Sequence, residues 1–535
     1  MDADITEGEE VTVAGRIDAP AGDEGPKKLL RDQLRKTLSH RHTSHLLAGN
    51  SVSRSRNKGK DPETDDITFI AVHIVTESRY PPRQYFVLTD AGKPVFISRA
   101  ETREQDNITA TIGIMQALIS IFIDDNDKLR CINAGRTRIT FLLRSPLYYA
   151  CVSSWGEPES VTRSHLEYLH LQILSIVTAA QLRRIFERRT NFDLRRLLNG
   201  AETFLTSLLE RLEVDLAMST SSLNCLKIDP NLRKRIAEIM VPPSKMKDIL
   251  YVVLIAQDRV VTLIRPKKHS IHPADIHILL NTIHSPSIYN SPASASWIPI
   301  CLPKFNPTGF VNGYISFLRT DDTANMQNHS SPRSTTSQPL DDEQAVSTPT
   351  ITRSSPSQVV ELNDLGISMV CISGGGDFEV IKTWCDAATK KLTDDGALNA
   401  LVNAFQTGQT EYSASELGIP GLRHFIYKSR AQVQITLPIF EEPYDNIADR
   451  RRLTTMYQTL HDAIHAKSGQ EGTLKLQYIR TDTESVMGWI TQPFELYITL
   501  SPRLPKSAAV GAANAVARWV KKEETRLFLR DAPVF

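Results

Sequence analysis

Three stretches stand in order along the chain and decide its fold: QYFVLTDAGKPVFIS (Gln84–Ser98), TIGIMQALISIF (Thr111–Phe122) and INAGRTRITFLLRSPLYYACVS (Ile132–Ser153). Tyr85–Leu88 and Val95–Ile97 are apolar runs joined through Thr89-Asp90-Ala91-Gly92, a composition suited to a tight turn between two strands. A further β-branched run, Ile67–Val75, reads as a strand ahead of them. Ile108, Ile112, Met115, Leu118, Ile119 and Phe122 then fall on one helical face, with Asp106 or Asn107 placed to cap the helix start. Leu129–Ile132, Ile139–Leu143 and Leu147–Val152 follow as three strands, separated by Ala134-Gly135 and Ser145-Pro146 turns. Leu166, Leu169, Ile173, Ile176 and Val177 close the unit as a second helix. The expected product is a small antiparallel sheet with an exposed edge and two helices on one face, a form that suits docking better than bond chemistry.

The same order recurs twice. After a largely helical connector with Leu197, Leu205, Leu208, Leu209 and Leu212 available for packing, strands fit Ile249–Ala256 and Val260–Ile264, and Pro273 opens a helix bearing Ile276, Leu279, Leu280 and Ile283. Trp297–Leu302, Phe310–Leu318 and Ile367–Ile372 read as strands before a helix carrying Val380, Trp384 and Leu392. The third copy offers strands at Phe425–Tyr427 and Val433–Leu437, then a helix with Leu453, Met456, Leu460 and Ile464. Strands at Leu474–Ile479, Met487–Ile490 and Phe494–Leu500 follow, with a last helix bearing Ala509, Val516 and Val520. The fold class is therefore α+β, with three β-β-α-β-β-β-α domains in one chain. The organisation reads as a charged, disordered N-terminal arm (1–65), domain 1 (66–190), a helical connector (191–247), domain 2 (248–400) with a disordered insertion (320–360), and domain 3 (401–535).

Composition limits what this scaffold does. The chain has 535 residues and a formal net charge of +1, so attraction to nucleic acid or an acidic membrane has to come from local clusters. Six scattered cysteines (Cys131, Cys151, Cys225, Cys301, Cys371 and Cys385) without CxxC spacing fit buried, reduced thiols in a cytosolic protein. No segment reaches ~18 uninterrupted apolar residues, and no signal sequence is legible. The arm is polarised: Asp2 to Glu24 holds eight acidic residues against Arg16, and Lys27 to Lys60 holds ten Lys or Arg against Asp32. Leu30, Leu34 and Leu38 recur beside Lys27, Lys28, Arg31, Arg35 and Lys36, a pattern for either a solvated arm or a basic amphipathic helix on an anionic membrane. Arg265, Lys267 and Lys268 form a second basic cluster, either a solvated hairpin tip or a lipid-headgroup contact.

Enzyme-like signals fail on their chemistry. Gly374-Gly375-Gly376 lies between a strand and a helix, but no Lys-Ser/Thr follows and no GxGxxG pattern forms, so a strand-to-helix turn is the better reading. His269, His272, His277 and His284, like His40, His42 and His45, lack Cys partners and the HExxH arrangement, so no metal or other cofactor is expected. Aromatic residues interleaved with basic ones are absent, which disfavours single-stranded nucleic-acid binding.

Five separated stretches carry a family resemblance: the three quoted above, SWIPICLPKFNPTGFVNGYISFL (Ser296–Leu318) and GIPGLRHFIYKS (Gly418–Ser429). From about Ile67 to the C-terminus the chain resembles the Mon-type vacuolar-fusion, or SAND, family. The resemblance implies three longin domains in series and a heterodimer with a Ccz-type triple-longin subunit. It implies that the pair is a guanine-nucleotide exchange factor for the Rab GTPase of late endosomes, vacuoles and lysosomes, acting in endosome maturation and in autophagosome and vacuole fusion. It further implies recruitment by the early-endosomal Rab and by phosphoinositide, hence a cytoplasmic protein peripheral on late-endosomal, multivesicular-body, autophagosomal and vacuolar membranes. On that basis Asn107, Thr109 and Thr111, near the start of the first helix, are candidates for the GTPase-binding surface. Trp297, after the small-residue loop Ser291–Ser296 and before Pro299, is expected at or near a strand end, where it either caps the core or contacts the recruiting Rab. The alternatives from other classes are a non-exchanging longin scaffold of a tether or adaptor complex, and an α/β nucleotide-binding enzyme using the triple glycine.

Overall fold

The computed structural model describes residues 80–98, 105–189, 192–267, 269–285, 288, 295–318, 365–468, 472 and 474–530. The arm, the strand expected at Ile67–Val75 and the insertion at 320–360 lie outside these residues. Within them the repeated order is present three times. Domain 1 runs β1 (Gln84–Thr89), β2 (Pro94–Ile97), α1 (Gln105–Asp124), β3 (Cys131–Ala134), β4 (Thr137–Arg144), β5 (Leu147–Ser153) and α2 (Glu159–Ile176). The connector contributes α3 (Ala179–Arg188), α4 (Glu202–Val214), a two-residue strand β6 (Leu223–Asn224) and α5 (Pro230–Ile239).

Domain 2 runs β7 (Ile249–Ala256), β8 (Arg259–Ile264), α6 (Pro273–Ile283), β9 (Ala295–Ile300), β10 (Val311–Phe317), β11 (Ser368–Ser373) and α7 (Phe378–Asp394), followed by α8 (Ala397–Gln406). Domain 3 runs β12 (Leu422–Ser429), β13 (Gln434–Thr436), α9 (Ile447–His465), β14 (Leu476–Arg480), β15 (Ser485–Ile490), β16 (Phe494–Leu500) and α10 (Lys506–Lys522). The three sheets share one strand order: β2-β1-β5-β4-β3, β8-β7-β11-β10-β9 and, read from its other end, β13-β12-β16-β15-β14. All pairings within these orders are antiparallel.

Two expectations change. In domains 2 and 3 the two long helices lie on opposite faces of the sheet, not on one. Val252, Leu254 and Cys371 pack with Ile381, Cys385 and Leu392 of α7, whereas their strand neighbours Tyr251, Val253 and Ile372 pack with Ile276, Leu279 and Ile283 of α6. In domain 3 Phe425 faces Ala513 and Val516 of α10, and the next residue, Ile426, faces Leu453 and Leu460 of α9. Successive side chains of a strand point to opposite faces, so strands without polar alternation, such as ILYVVLIA in β7, are those that are covered on both. The largely helical connector also supplies a short strand, which was not expected. β6 pairs in parallel with β13 and extends the third sheet, and Leu226 N–H donates to Val260 O at the edge of the second. Leu398 and Leu401 of α8 join the domain 2 core, carrying that domain's packing past residue 400.

Packing divides the described chain into Ala117–Lys128 and the remainder. The first of these is the C-terminal half of α1 and its closing turn, in which the Asp125 and Asn126 N–H groups donate to the Ile121 and Ile123 carbonyls. In the remainder, helices converge on α2. Leu166, Leu169 and Ile173 of α2 share a cluster with Leu205 and Leu208 of α4 and with Ala274 and Ile278 of α6. α9 reaches the same assembly through Arg451, whose guanidinium pairs with Glu213 of α4 at 2.7 Å, and through Asp462, which accepts from Ser160 Oγ of α2.

Candidate functional site

The first helices of the three domains occupy equivalent places in the chain order but not in the packing. Every residue of α6 from Ala274 to Ile283 is buried, and α9 buries Leu453, Tyr457, Leu460, His461 and Ile464 among others. α1 is different. Of its described side chains only Met115 and Ile119 are buried, although the sequence TATIGIMQALISIF carries no charge. Ile114 is 60% exposed, with Ala110 and Gly113 open beside it. Ala110 and Ile114 are one turn apart on one face, so small side chains flank a protruding isoleucine, and the backbone there is approachable by another helix. The helix is fixed to its own domain near this point, where Gln116 Nε2 donates to the Asp90 carbonyl in the β1–β2 turn.

The residues singled out for the GTPase surface fall on the N-terminal part of this helix. Thr109 is exposed and Thr111 half-buried, while the Asn107 side chain lies outside the description. Lys27, Lys28, Arg31 and Arg35 also lie outside it, as does Lys268. Lys267 is exposed, but Arg265 is half-buried and donates to the His269 carbonyl at 3.1 Å, so its charge serves its own loop.

Trp297 is not at a strand end. It is the third residue of β9, opposite Tyr314 of β10, and its ring lies 5.3 Å from Phe378 in an edge arrangement and 6.5 Å from Tyr314. Pro299 does not stop the strand, because β9 is the outermost strand of its sheet and an edge position tolerates the missing N–H. Trp297 is thus half-buried against the domain 2 core, with one part open.

The triple glycine forms a plain strand-to-helix turn. Ser373 Oγ accepts from the Gly376 N–H at 3.0 Å, and Asp377 caps α7 by accepting from Glu379 N–H. A carboxylate therefore sits where a phosphate would have to bind, against nucleotide binding there. The four clustered histidines also disperse: His272 Nδ1 accepts from Ala274 N–H, His277 is buried against the Ser222 carbonyl, and His284 lies 2.8 Å from Asp258.

A polar cluster in domain 3 was not anticipated. His461 and His465, one turn apart on α9, meet Glu495 of β16, with His465 Nε2 3.1 Å from Glu495 Oε2 and all three donor atoms within 4.8 Å of one another. The spacing HDAIH is visible in the sequence, but the facing Glu495 is thirty positions on. Lys428 Nζ lies 3.4 Å from Glu495 Oε1, and Lys467 Nζ lies 3.1 Å from His461 Nε2. Two ammonium groups at this range oppose a divalent cation, so the cluster is a buried ion-pair network. Burial would raise the Glu495 pKa, but the His465 hydrogen bond and the Lys428 charge outweigh it and hold the carboxyl at about 2.

Comparison with known proteins agrees with this geometry. Family models described as the first, second and third longin domains of FUZ, MON1 and HPS1 match residues 83–208, 247–343 and 421–524. Vacuolar fusion protein MON1 of Cryptococcus neoformans var. neoformans serotype D (strain B-3501A) is 45% identical over 99% of this chain and 77% of its own length. Protein SAND of Takifugu rubripes is 30% identical over 93% of this chain and 84% of its own. Vacuolar fusion protein MON1 homolog A of Bos taurus is 32% identical over 84% and 71%. The fold thus defines a triple-longin protein. The chain belongs to the MON1/SAND family of vacuolar fusion proteins, and its role lies in vesicle traffic. Among the described residues no helix is long and apolar enough to cross a membrane.

Proposed function

We propose that the chain is one subunit of a heterodimeric guanine-nucleotide exchange factor that activates the late-endosomal or vacuolar Rab GTPase. The observation that carries this reading is the contrast between α1 and its counterparts: α6 and α9 spend their apolar faces inside the chain, whereas α1 leaves Ile114 at 60% exposure. Burying the exposed part of that side chain against a partner contributes about 1–2 kcal/mol, and the small residues around it allow close approach. The partner proposed is a Ccz-type triple-longin subunit seated on this helix, with the GTPase received on the joined surface near Thr109 and Thr111.

Exchange needs no reacting side chain. A GTPase holds its nucleotide through phosphate and Mg²⁺ contacts, so a factor that binds the emptied form more tightly than the loaded one speeds release. A ~1,000-fold acceleration requires about 4 kcal/mol, within reach of an interface of ~1,600 Å². Trp297, partly open on the edge strand of domain 2, is proposed to meet the recruiting early-endosomal Rab. Lys267 and the basic part of the arm are proposed to meet phosphoinositide on late-endosomal, autophagosomal or vacuolar membranes.

The test is release of a fluorescent guanine nucleotide from purified Rabs, with the chain alone, with a triple-longin partner and with the Ile114→Glu variant. Stimulation by the pair and its loss in the variant support the reading. A stable pair without stimulation of any Rab favours a non-exchanging scaffold.

A further inference from the structure

Domain 3 carries a groove of about 680 Å³ between the open end of its sheet and α10. Its floor is aromatic: Tyr427 stacks on Phe494 at 5.0 Å, Trp489 meets Phe494 edge-on at 5.4 Å, and Phe528 lies 6.2 Å from Tyr427. Among the described residues nothing fills this space. Arg518 and Lys521, three residues apart on α10, line it from one wall, and both are exposed with no ion-pair partner among the described residues. Glu524 on the same lining is already paired with Arg530 at 3.5 Å, so the wall presents net positive charge.

One further atom distinguishes the occupants such a groove could take. Gln432, in the β12–β13 turn, lines the groove with a buried side-chain oxygen that has no hydrogen-bond partner among the described residues. An unsatisfied buried acceptor costs about 1–3 kcal/mol and calls for a donor from outside the chain. A fatty acid supplies an apolar tail and a carboxylate but no donor. A peptide supplies all three: backbone N–H groups for Gln432, an apolar or aromatic side chain for the floor, and an Asp or Glu for Arg518 and Lys521.

We propose that this groove is a docking site for a short extended peptide segment of another protein, in which an apolar or aromatic anchor stands within a few residues of an acidic side chain. The site is built from domain 3 residues alone and uses none of α1, so it serves a second partner, independent of the exchange reading.

The experiment uses the full chain, immobilised and panned against a random-peptide phage library. Enriched sequences are then synthesised with a fluorescein label and measured by anisotropy. The expected result is enrichment of peptides that combine an apolar anchor with Asp or Glu, and binding weakened about tenfold or more by Arg518→Glu with Lys521→Glu. Both residues are exposed and unpaired among the described residues, so this variant should keep the parent's thermal unfolding. The same peptides should change the intrinsic fluorescence of the parent and not of Trp489→Phe, which retains the ring. The proposal is overturned by no enrichment above an uncoated surface, or by enriched peptides that bind the charge-reversed chain equally. It is also overturned if sodium oleate alters the Trp489 signal and no peptide does, which would make the occupant an acyl chain.

Discussion

Acidification from pH 7 to pH 5 should weaken the fold by about 2–3 kcal/mol, through histidines that the core holds uncharged. His424 is fully buried, stacked on Phe440 at 4.5 Å with Nδ1 3.1 Å from Tyr457 Oη, and burial lowers its pKa from 6.5 to about 3. His170, 2.9 Å from Tyr149 Oη, is lowered to about 4 by burial and by the charges of Arg144 and Lys304. A pKa depressed in the folded state means that the unfolded chain takes up the proton first. The stabilisation is therefore whole above 6.5 and lost as pH falls from there towards the folded values. At pH 5 each residue costs about 2 kcal/mol, or about 4 together. Asp275 acts oppositely. Burial raises its pKa from 3.8 to about 6 despite the Lys304 and Phe305 N–H groups whose bonds it accepts, so the folded state binds that proton first and recovers about 1 kcal/mol at pH 5. The balance is a net loss, and His165 and His461, both lowered by burial, push it the same way. Urea unfolding of the full chain, followed by intrinsic fluorescence at pH 7 and pH 5, measures it. An unchanged or higher midpoint at pH 5 would refute the reasoning, and His424→Gln should remove about 2 kcal/mol of the pH dependence.

Three substitutions probe other parts of the account. Gly488 sits in β15 directly beneath α9, and an added Cβ would lie 2.5 Å from Ile464 Cδ1 and 3.3 Å from Leu460 Cβ; Gly488→Ala should therefore cost about 1–3 kcal/mol in denaturant unfolding. The buried guanidinium of Arg233 donates to the carbonyls of Leu226, Thr525, Arg526 and Phe528, and since among the described residues only the Arg526 carbonyl also accepts from a backbone N–H, that of Ile228, Arg233→Ala strands the other three. It should cost about 3 kcal/mol and selectively speed amide hydrogen exchange around residues 525–529. Trp297→Ala should weaken recruitment to Rab-bearing liposomes while leaving nucleotide exchange in solution intact; collapse of both would make the residue part of the exchange surface or of the core.

Much of the fold was legible because apolar strands bounded by turn residues announce themselves. Ile249–Ala256 and Phe494–Leu500 occur with the bounds the sequence suggests, and the repeated element order is the one read from it. The placement of helices on opposite faces was also written there, in strands apolar at successive positions, but it demands asking which face each residue serves. Trp297 stands two residues inside its strand because Ala295 and Ser296, read as the end of a small-residue loop, pair with Ser316 and Ile315 of the neighbouring strand. The Glu495 cluster and the groove beside Gln432 depend on residues brought together by tertiary packing, which no local period reveals. For α1, the sequence supplied the apolar stripe, and only the packing of α6 and α9 showed it to be the one left open among the three.

The most direct measurement of the central claim is the affinity of the reconstituted heterodimer for the late-endosomal or vacuolar Rab in its nucleotide-free and its GDP-loaded forms, read by titration calorimetry. If the chain acts by differential binding, the stripped form should bind about 1,000-fold more tightly, in proportion to the acceleration of release, and Ile114→Glu should abolish the pair and with it that preference. Equal affinity for the two forms in an intact heterodimer would contradict the account.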